Sequence, residues 1–184
     1  MKKFVTFSLI AVAVIIVLAW TLLFFMRKQT KSHSPEEIAA YTDGDLKIEV
    51  IYNRPFKKKR EIFGALVPFD TTWRTGANEA TTFETSKDLK FEGKTLPKGK
   101  YTLWTIPKKE SWTIIFNSEF GQWGVNFEGQ ANRDPEKDIL KFDVPVVQAK
   151  QEFEQFTISF EKTGETAEMV LLWDTTVVAA PFSY

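Results

Sequence analysis

The stretch of residues 71–82, "TTWRTGANEATT", carries the side chains best suited to chemistry, in a chain whose other segments mostly alternate apolar and polar residues. An aromatic side chain beside a few fixed polar groups is a common way to build a site for a sugar or a small anion. We therefore treat Trp73, Arg74, Asn78 and Glu79 as candidate ligand-binding residues, with Trp73 as the apolar wall.

The same residues can also form a structural corner that binds nothing. Trp73 can cover the end of a core, Gly76 can take a positive φ, and Asn78 can bond to neighbouring backbone groups. Arg74 and Glu79 are close enough in the sequence to pair across the loop. We expect the structural role first and the ligand site second.

Few catalytic mechanisms are compatible with the composition of this chain. It contains no cysteine and a single histidine, His33, which precedes the strand-like region. Cysteine nucleophiles, thiolate metal sites and Ser–His–Asp triads are therefore excluded from the domain. A catalytic Glu79 would need a second acid, base or metal partner that the sequence does not identify. We assign no catalytic residue, no metal ligand and no cofactor.

Two further segments are candidate binding regions. Residues 120–134, "FGQWGVNFEGQANRD", are rich in Gly and Asn around Trp123, which we add to the candidate ligand-binding residues. A long loop with a buried anchor is the plainer interpretation of this segment. The basic run of residues 57–60 reads as a solvated loop, with an anion or lipid-headgroup contact as the alternative.

The neutral overall charge conceals an asymmetry. The first 33 residues carry five basic and no acidic side chains, so the rest of this neutral chain has a net charge of −5. A domain of that sign repels a nucleic-acid backbone, and we expect no nucleic-acid partner.

Residues 4–26 run without a charge and are long enough to cross a bilayer as one helix. The apolar run exceeds the roughly 7–15 residues of a cleavable signal peptide, which favours an uncleaved signal anchor. We therefore expect residues 1–33 to be a single-pass anchor in the cytoplasmic membrane, with the bilayer as a partner. The short basic N-terminus favours a domain on the outer, periplasmic side. Residues 34–44 are expected to be a polar stalk, with a helical turn after Ser34.

From residue 45 to residue 184 the apolar period is two, which is typical of half-buried strands. Short extended runs alternate with Gly, Pro, Asn and Asp, and no long helical period occurs among them. Residues 101–106 are apolar on both faces and predict a central strand. The pattern predicts an all-β domain, an antiparallel β-sandwich or flattened barrel.

Four segments together resemble a known family. They are "YNRPFKKKREIFGALVPFDTTWRTGANEATTF", "LPKGKYTLWTIP", "SWTIIFN" and "QWG". Through them the chain is identified as a member of the bacterial domain-of-unknown-function family twenty-nine eleven (DUF2911) over residues 46–174. The resemblance implies an exported or envelope-associated protein without an established activity. The chain departs from the family pattern at Lys59, where Gly is expected, and at Phe69 and Asp70, where Tyr-Gly is expected.

Three functions remain open on these grounds. The first is a membrane-tethered accessory module that binds a ligand or an envelope protein. The second is a hydrolase-like enzyme that uses Glu79, with Arg74, on a carbohydrate or peptide-like substrate; an open cleft beside another carboxylate would distinguish it. The third is a small subunit of a larger membrane complex, in which the helix itself contacts partners.

Overall fold

A computed structural model describes the backbone of residues 2–184 and their side chains except those of residues 2–8, 11 and 27. The chain divides into two compact units, residues 1–33 and residues 34–184. The first unit is helix α1, Lys2–His33. Its segment Val12–His33 has a mean hydropathy of 1.7 and is long and apolar enough to span a membrane, a property that it shares with signal sequences.

The second unit is one continuous antiparallel sheet in the order β1-β2-β3-β6-β7-β8-β9-β4-β5. The strands are β1 Glu36–Asp43, β2 Leu46–Asn53, β3 Thr82–Thr85, β4 Leu89–Phe91, β5 Lys94–Leu96, β6 Gly99–Pro107, β7 Ser111–Asn117, β8 Asp138–Thr163 and β9 Thr166–Ser183. Within residues 34–184 the only described helical segment is the 3-10 turn Pro135–Lys137. The predicted all-β class and the central position of β6 are confirmed, and the architecture is consistent with a sandwich.

Strand β8 turns this sheet back on itself. Its first part pairs with β7 as far as Pro145, and the part from Val146 onward pairs with β9. Along the part of β8 that pairs with β9, the register shifts twice, once on each side of Phe153. Such irregularities bend and twist a strand. The two strands predicted at residues 139–144 and 153–160 are therefore one long, bent strand.

The far part of β8 returns to the end of β2. Tyr52 of β2 accepts a hydrogen bond at its hydroxyl from the Ile158 backbone N–H, at 3.0 Å. The Phe156 N–H donates to the Pro55 carbonyl, and the Arg54 Nε donates to the Phe156 carbonyl, both at 3.0 Å. These bonds join β8 to β2, two strands that lie far apart in the sheet order, and so close the sheet over its inner face.

Aromatic rings fill the enclosed space. Phe91 of β4 is fully buried, and its ring centroid lies 5.3 Å from Phe116, 5.1 Å from Phe142 and 5.4 Å from Phe182. Its neighbours belong to β7, β8 and β9, and Phe116 in turn contacts Phe83 of β3 at 4.8 Å. One apolar cluster therefore holds both halves of the sheet together.

Residues 36–43 differ from the sequence expectation. Instead of a stalk with a helical turn after Ser34, they form β1, which pairs with β2 from Glu36 opposite Asn53 to Asp43 opposite Leu46. β1 is an edge strand whose side chains are mostly exposed, so it lacks the apolar alternation that marks the inner strands. Its hydrogen bonds to β2 define it as a strand.

We expect Phe91→Ala to lower the free energy of unfolding by about 3–5 kcal/mol, because the substitution empties a site shared by three other strands. Phe127→Ala is the matched control, since the Phe127 ring is exposed and its removal should change stability by less than about 0.5 kcal/mol. Urea unfolding of the full chain in detergent micelles measures both values. Equal midpoints for the two variants would contradict the proposed core.

Candidate functional site

Trp73 is the inward-facing residue of the "WRTGANEA" segment, which we call the corner (residues 73–80). Its backbone exchanges hydrogen bonds with Thr105 of β6, at 2.7 and 3.0 Å. Its ring packs on the main core, and its Nε1 donates to the Gly76 carbonyl at 2.9 Å. The rings around it are Phe63 at 6.2 Å, Trp112 at 6.0 Å, Phe156 at 5.0 Å and Trp173 at 6.0 Å. Trp73 therefore plugs the core, as the structural interpretation predicts.

Asn53, the last residue of β2, holds the other side of the corner. Its carbonyl accepts from the Ala77 N–H at 3.3 Å, and its side-chain Oδ1 accepts from Asn78 Nδ2 at 3.3 Å. Its Nδ2 donates to Glu79 Oε2 at 3.1 Å. Asn78 is buried and also donates to the Ser34 carbonyl, at 3.3 Å. Asn78 and Glu79 are thus fixed by one strand end.

Gly76 is a glycine because the backbone of Asn53 lies too close to it for a side chain. A Cβ on Gly76 would lie 2.9 Å from the Asn53 carbonyl oxygen, closer than real Cβ contacts come. The preceding Thr75 is fully buried in a left-handed conformation with φ of 55°. Its carbonyl accepts from Thr81 Oγ1 at 2.7 Å, and its hydroxyl lies 3.2 Å from that of Thr105. Local hydrogen bonds thus satisfy the tightest part of the turn.

Arg74 makes the corner's contact with a second loop. A Cβ on Gly124 would lie 2.6 Å from Arg74 Cδ, so the aliphatic part of this side chain covers the Gly124 backbone. Burial lowers the pKa of Arg74, and the charge of Glu79 opposes that shift. One guanidinium nitrogen, Nη1, is buried without a hydrogen-bond acceptor.

The second loop, residues 118–134, is called here the aromatic loop. The Gln122 carbonyl accepts from the Ala80 N–H at 3.2 Å, which ties this loop to the corner. Trp123 is half-buried, whereas Phe120 and Phe127 are exposed. The loop also contributes Ala131 to a small cluster of Ala80, Trp104 and Ile115, separate from the main core.

Unpaired polar atoms are concentrated in the corner and the aromatic loop. Among the described side chains, five buried polar atoms lack a partner, and four belong to Arg74, Gln122, Asn132 and Arg133. Two are donors, on the arginines, and two are amide oxygens. Each such atom carries an unrecovered desolvation cost, so waters or a ligand are needed there.

The structure therefore divides the predicted site. Trp73 and Asn78 face inward, and Glu79 is held by Asn53. Arg74 contacts the aromatic loop, which contains Trp123. Sequence reasoning missed Gln122, Asn132 and Arg133, whose polarity is ordinary in a loop and whose burial only the fold reveals. Among the described residues, no group of three or more His, Asp and Glu side chains is arranged to hold a metal ion.

The basic run is partly neutralised by its own surroundings. Lys57 Nζ lies 2.7 Å from Asp174 Oδ1 and 2.8 Å from Glu152 Oε2, and the hydrogen bond to Asp174 is the main cause of its raised pKa. Arg60 donates to backbone carbonyls of Phe56 and Lys57. These contacts favour the predicted structural role of the run over an anion site.

The backbone explains two departures from the family pattern. Lys59 and Asp70 stand where glycine is expected, and both have left-handed backbones, with φ of 60° and 58°. Glycine takes this conformation without steric cost, and aspartate tolerates it better than most residues. Turn geometry would therefore account for the glycines that the resemblance leads us to expect at these places.

A second concave surface was not predicted. It is a groove of about 300 Å³ beside the 61–70 segment and the β6–β7 turn, and we call it the lysine groove. Its lining is Phe63, Phe69, Lys108, Lys109, Trp112, Val146, Gln148 and Thr176. These residues come from distant parts of the chain, so no local motif marks them.

We expect Glu79→Gln to lower the melting temperature by about 2–4 °C, as follows from losing about 1 kcal/mol in a chain of this size. The substitution removes the charge that accepts from Asn53 and lies near Arg74. Glu128→Gln, at an exposed position of the aromatic loop, should leave the melting temperature unchanged. An unchanged value for Glu79→Gln, with loss of ligand binding, would assign Glu79 to a ligand site instead.

Comparison with known proteins identifies the family of the chain. No curated protein and no solved structure is significantly similar to the chain. The family described as "Protein of unknown function (DUF2911)" matches residues 34–182, which begin just before β1 and include the corner, the aromatic loop and the lysine groove. The match covers most of the chain and agrees with the resemblance of the "WRTGANEAT" motif, so the chain belongs to the DUF2911 family.

Proposed function

We propose that this protein is a membrane-anchored, envelope-facing β-sandwich module that binds a ligand or partner protein between the corner and the aromatic loop. The observation that carries the proposal is the group of four buried, unpaired polar atoms of Arg74, Gln122, Asn132 and Arg133. A folded domain rarely leaves so many in two adjoining segments without a further bonding partner.

The chemistry of these atoms indicates what the site recognises. Arg74 and Arg133 supply N–H donors, while Gln122 and Asn132 supply carbonyl acceptors. A group that both donates and accepts, such as a sugar hydroxyl or a peptide amide, matches this set. The exposed rings of Phe120 and Phe127 add apolar surface on the same loop.

Binding in this place requires the aromatic loop to move, because the four atoms are covered by protein. One backbone hydrogen bond joins the loop to the corner, from the Ala80 N–H to the Gln122 carbonyl at 3.2 Å. Loops with few backbone bonds open at low cost in free energy. The loop therefore acts as the adaptable part of the site, and the corner as its rigid part.

The hydrolase alternative is weaker on the same contacts. Glu79 Oε2 accepts from Asn53, and the Glu79 charge acts on Arg74, both of which suit a residue that stabilises the corner. The alternative of a subunit in a larger membrane complex depends on α1 and is compatible with a binding role for the domain.

The outward orientation can be tested with a single introduced cysteine, because the natural chain has none. In Phe127→Cys the thiol replaces a fully exposed ring. We expect a membrane-impermeant maleimide to label this variant in intact spheroplasts, and the cysteine-free parent chain to stay unlabelled. Labelling that occurs only after lysis would place the domain in the cytoplasm and refute the orientation.

The binding surface can be tested by photo-crosslinking in living cells. With p-benzoylphenylalanine in place of Phe120 or Phe127, we expect a light-dependent adduct of higher mass. The same residue in place of Val147, which is similarly exposed, should give none. Adducts of equal yield at all three positions, or none at any, would contradict the proposed surface.

A second substitution tests whether formation of the adduct depends on the unpaired atoms. Arg74→Met keeps an apolar chain against Gly124 but removes the guanidinium donors. In the Phe127 photo-crosslinking background, this change should reduce the adduct while the folded state persists in a thermal melt. Glu128→Gln serves as the matched control on the same loop and should leave the yield unchanged.

A further inference from the structure

We propose that the lysine groove is a separate binding site for a small aromatic carboxylate. The proposal goes beyond the function above, because the groove uses none of the corner or aromatic-loop residues. It rests on three features of the groove: its apolar walls, the positive charge at its mouth, and its connection to a buried donor.

Three of the four apolar residues that line the groove, Phe63, Phe69 and Trp112, are aromatic. The Phe63 ring lies 4.9 Å from the buried Trp112 ring at an interplanar angle of 65°. Phe69 and Val146 are half-buried and complete the walls. Aromatic rings prefer edge-to-face or offset contacts with other rings, so a flat aromatic guest suits this lining better than a branched aliphatic one.

Two lysines set the charge of the ligand. Lys108 is half-buried and Lys109 is exposed, and both line the groove, whereas none of its described lining residues is acidic. The nearest acids along the chain, Asp70 and Glu110, are both exposed. A negative group on the guest would therefore lie beside two ammonium groups, with the Thr176 and Gln148 side chains as further polar contacts.

The groove's floor continues into a cluster with an unused donor. Phe63 also contacts Trp173, at 6.0 Å between ring centroids. Trp173 is only 1% exposed, and its Nε1 has no acceptor. A buried indole N–H normally finds a partner, and a polar atom of a guest that reaches past the Phe63 ring would provide one.

Size restricts the ligand further. A volume of about 300 Å³ is at the small end of ligand pockets, which typically measure about 300–1,000 Å³. One or two fused rings with a single carboxylate fit such a space, whereas a long acyl chain or a macromolecule does not. The groove thus favours a compact aryl acid over a phospholipid.

The direct test is isothermal titration of the full chain in lipid nanodiscs with 2-naphthoate, using empty nanodiscs as the blank. We expect saturable binding, and binding of the neutral 2-naphthamide that is about tenfold weaker, because the amide loses its charge contacts with two lysines. Absence of saturable 2-naphthoate binding would overturn the proposal. Equal affinity for the two compounds would overturn the role of the lysines.

Two variants locate the binding in the groove. Val146→Phe fills the space from one wall and should abolish binding, whereas Val147→Phe, next to it on the opposite face of β8, should not. Lys108→Gln with Lys109→Gln should weaken 2-naphthoate about tenfold and leave 2-naphthamide unchanged. The matched double variant, Lys90→Gln with Lys98→Gln, makes the same charge change at exposed positions outside the groove.

A thermal melt of each variant shows whether it is folded. If Val146→Phe failed to fold, the lysine variants would still decide the question, because they change only polar ends at the rim. Binding that persists unchanged in a folded Val146→Phe protein, or that weakens equally in both double-lysine variants, would refute the assignment to this groove.

Discussion

The structure depends on a single sheet closing over its own apolar face. β8 is long enough to pair with β7 at one end and β9 at the other, and its far part bonds to the residues that follow β2. Burial of apolar area drives this closure, at about 25 cal/mol for each Å² removed from water. Because the bent strand brings both halves together, rings such as Phe91 can contact strands far apart in the sequence.

Closure also explains why the corner is built as it is. The chain must cross from the 61–70 segment to β3 over the end of the core, and buried backbone groups there need partners. Asn53 supplies three bonds from one strand end, to Ala77, Asn78 and Glu79. Because Asn53, Asn78 and Glu79 hold the turn, the atoms left for recognition are those of Arg74 and the aromatic loop opposite it.

The same physics explains which parts of the fold and of the site could not be predicted from the sequence. Period-two alternation revealed the inner strands because one of their faces is buried, but edge strand β1 has little buried surface and was taken for a stalk. Trp73 was correctly expected to be a plug, since a large ring beside Gly in a turn has few alternatives. Arg133 and Lys108 could not be identified, because burial and concavity arise from distant segments that only the fold brings together.

The corner and the lysine groove adjoin each other, although no residue belongs to both. Trp73 packs on both Phe63 and Trp112, which line the groove, while its neighbour Arg74 contacts the aromatic loop. A guest that shifts the Phe63 ring must therefore alter the packing of Trp73, and the backbone of Trp73 is fixed to Thr105 of β6. Closely packed interiors transmit such displacements. The two surfaces are thus connected through the indole ring of Trp73.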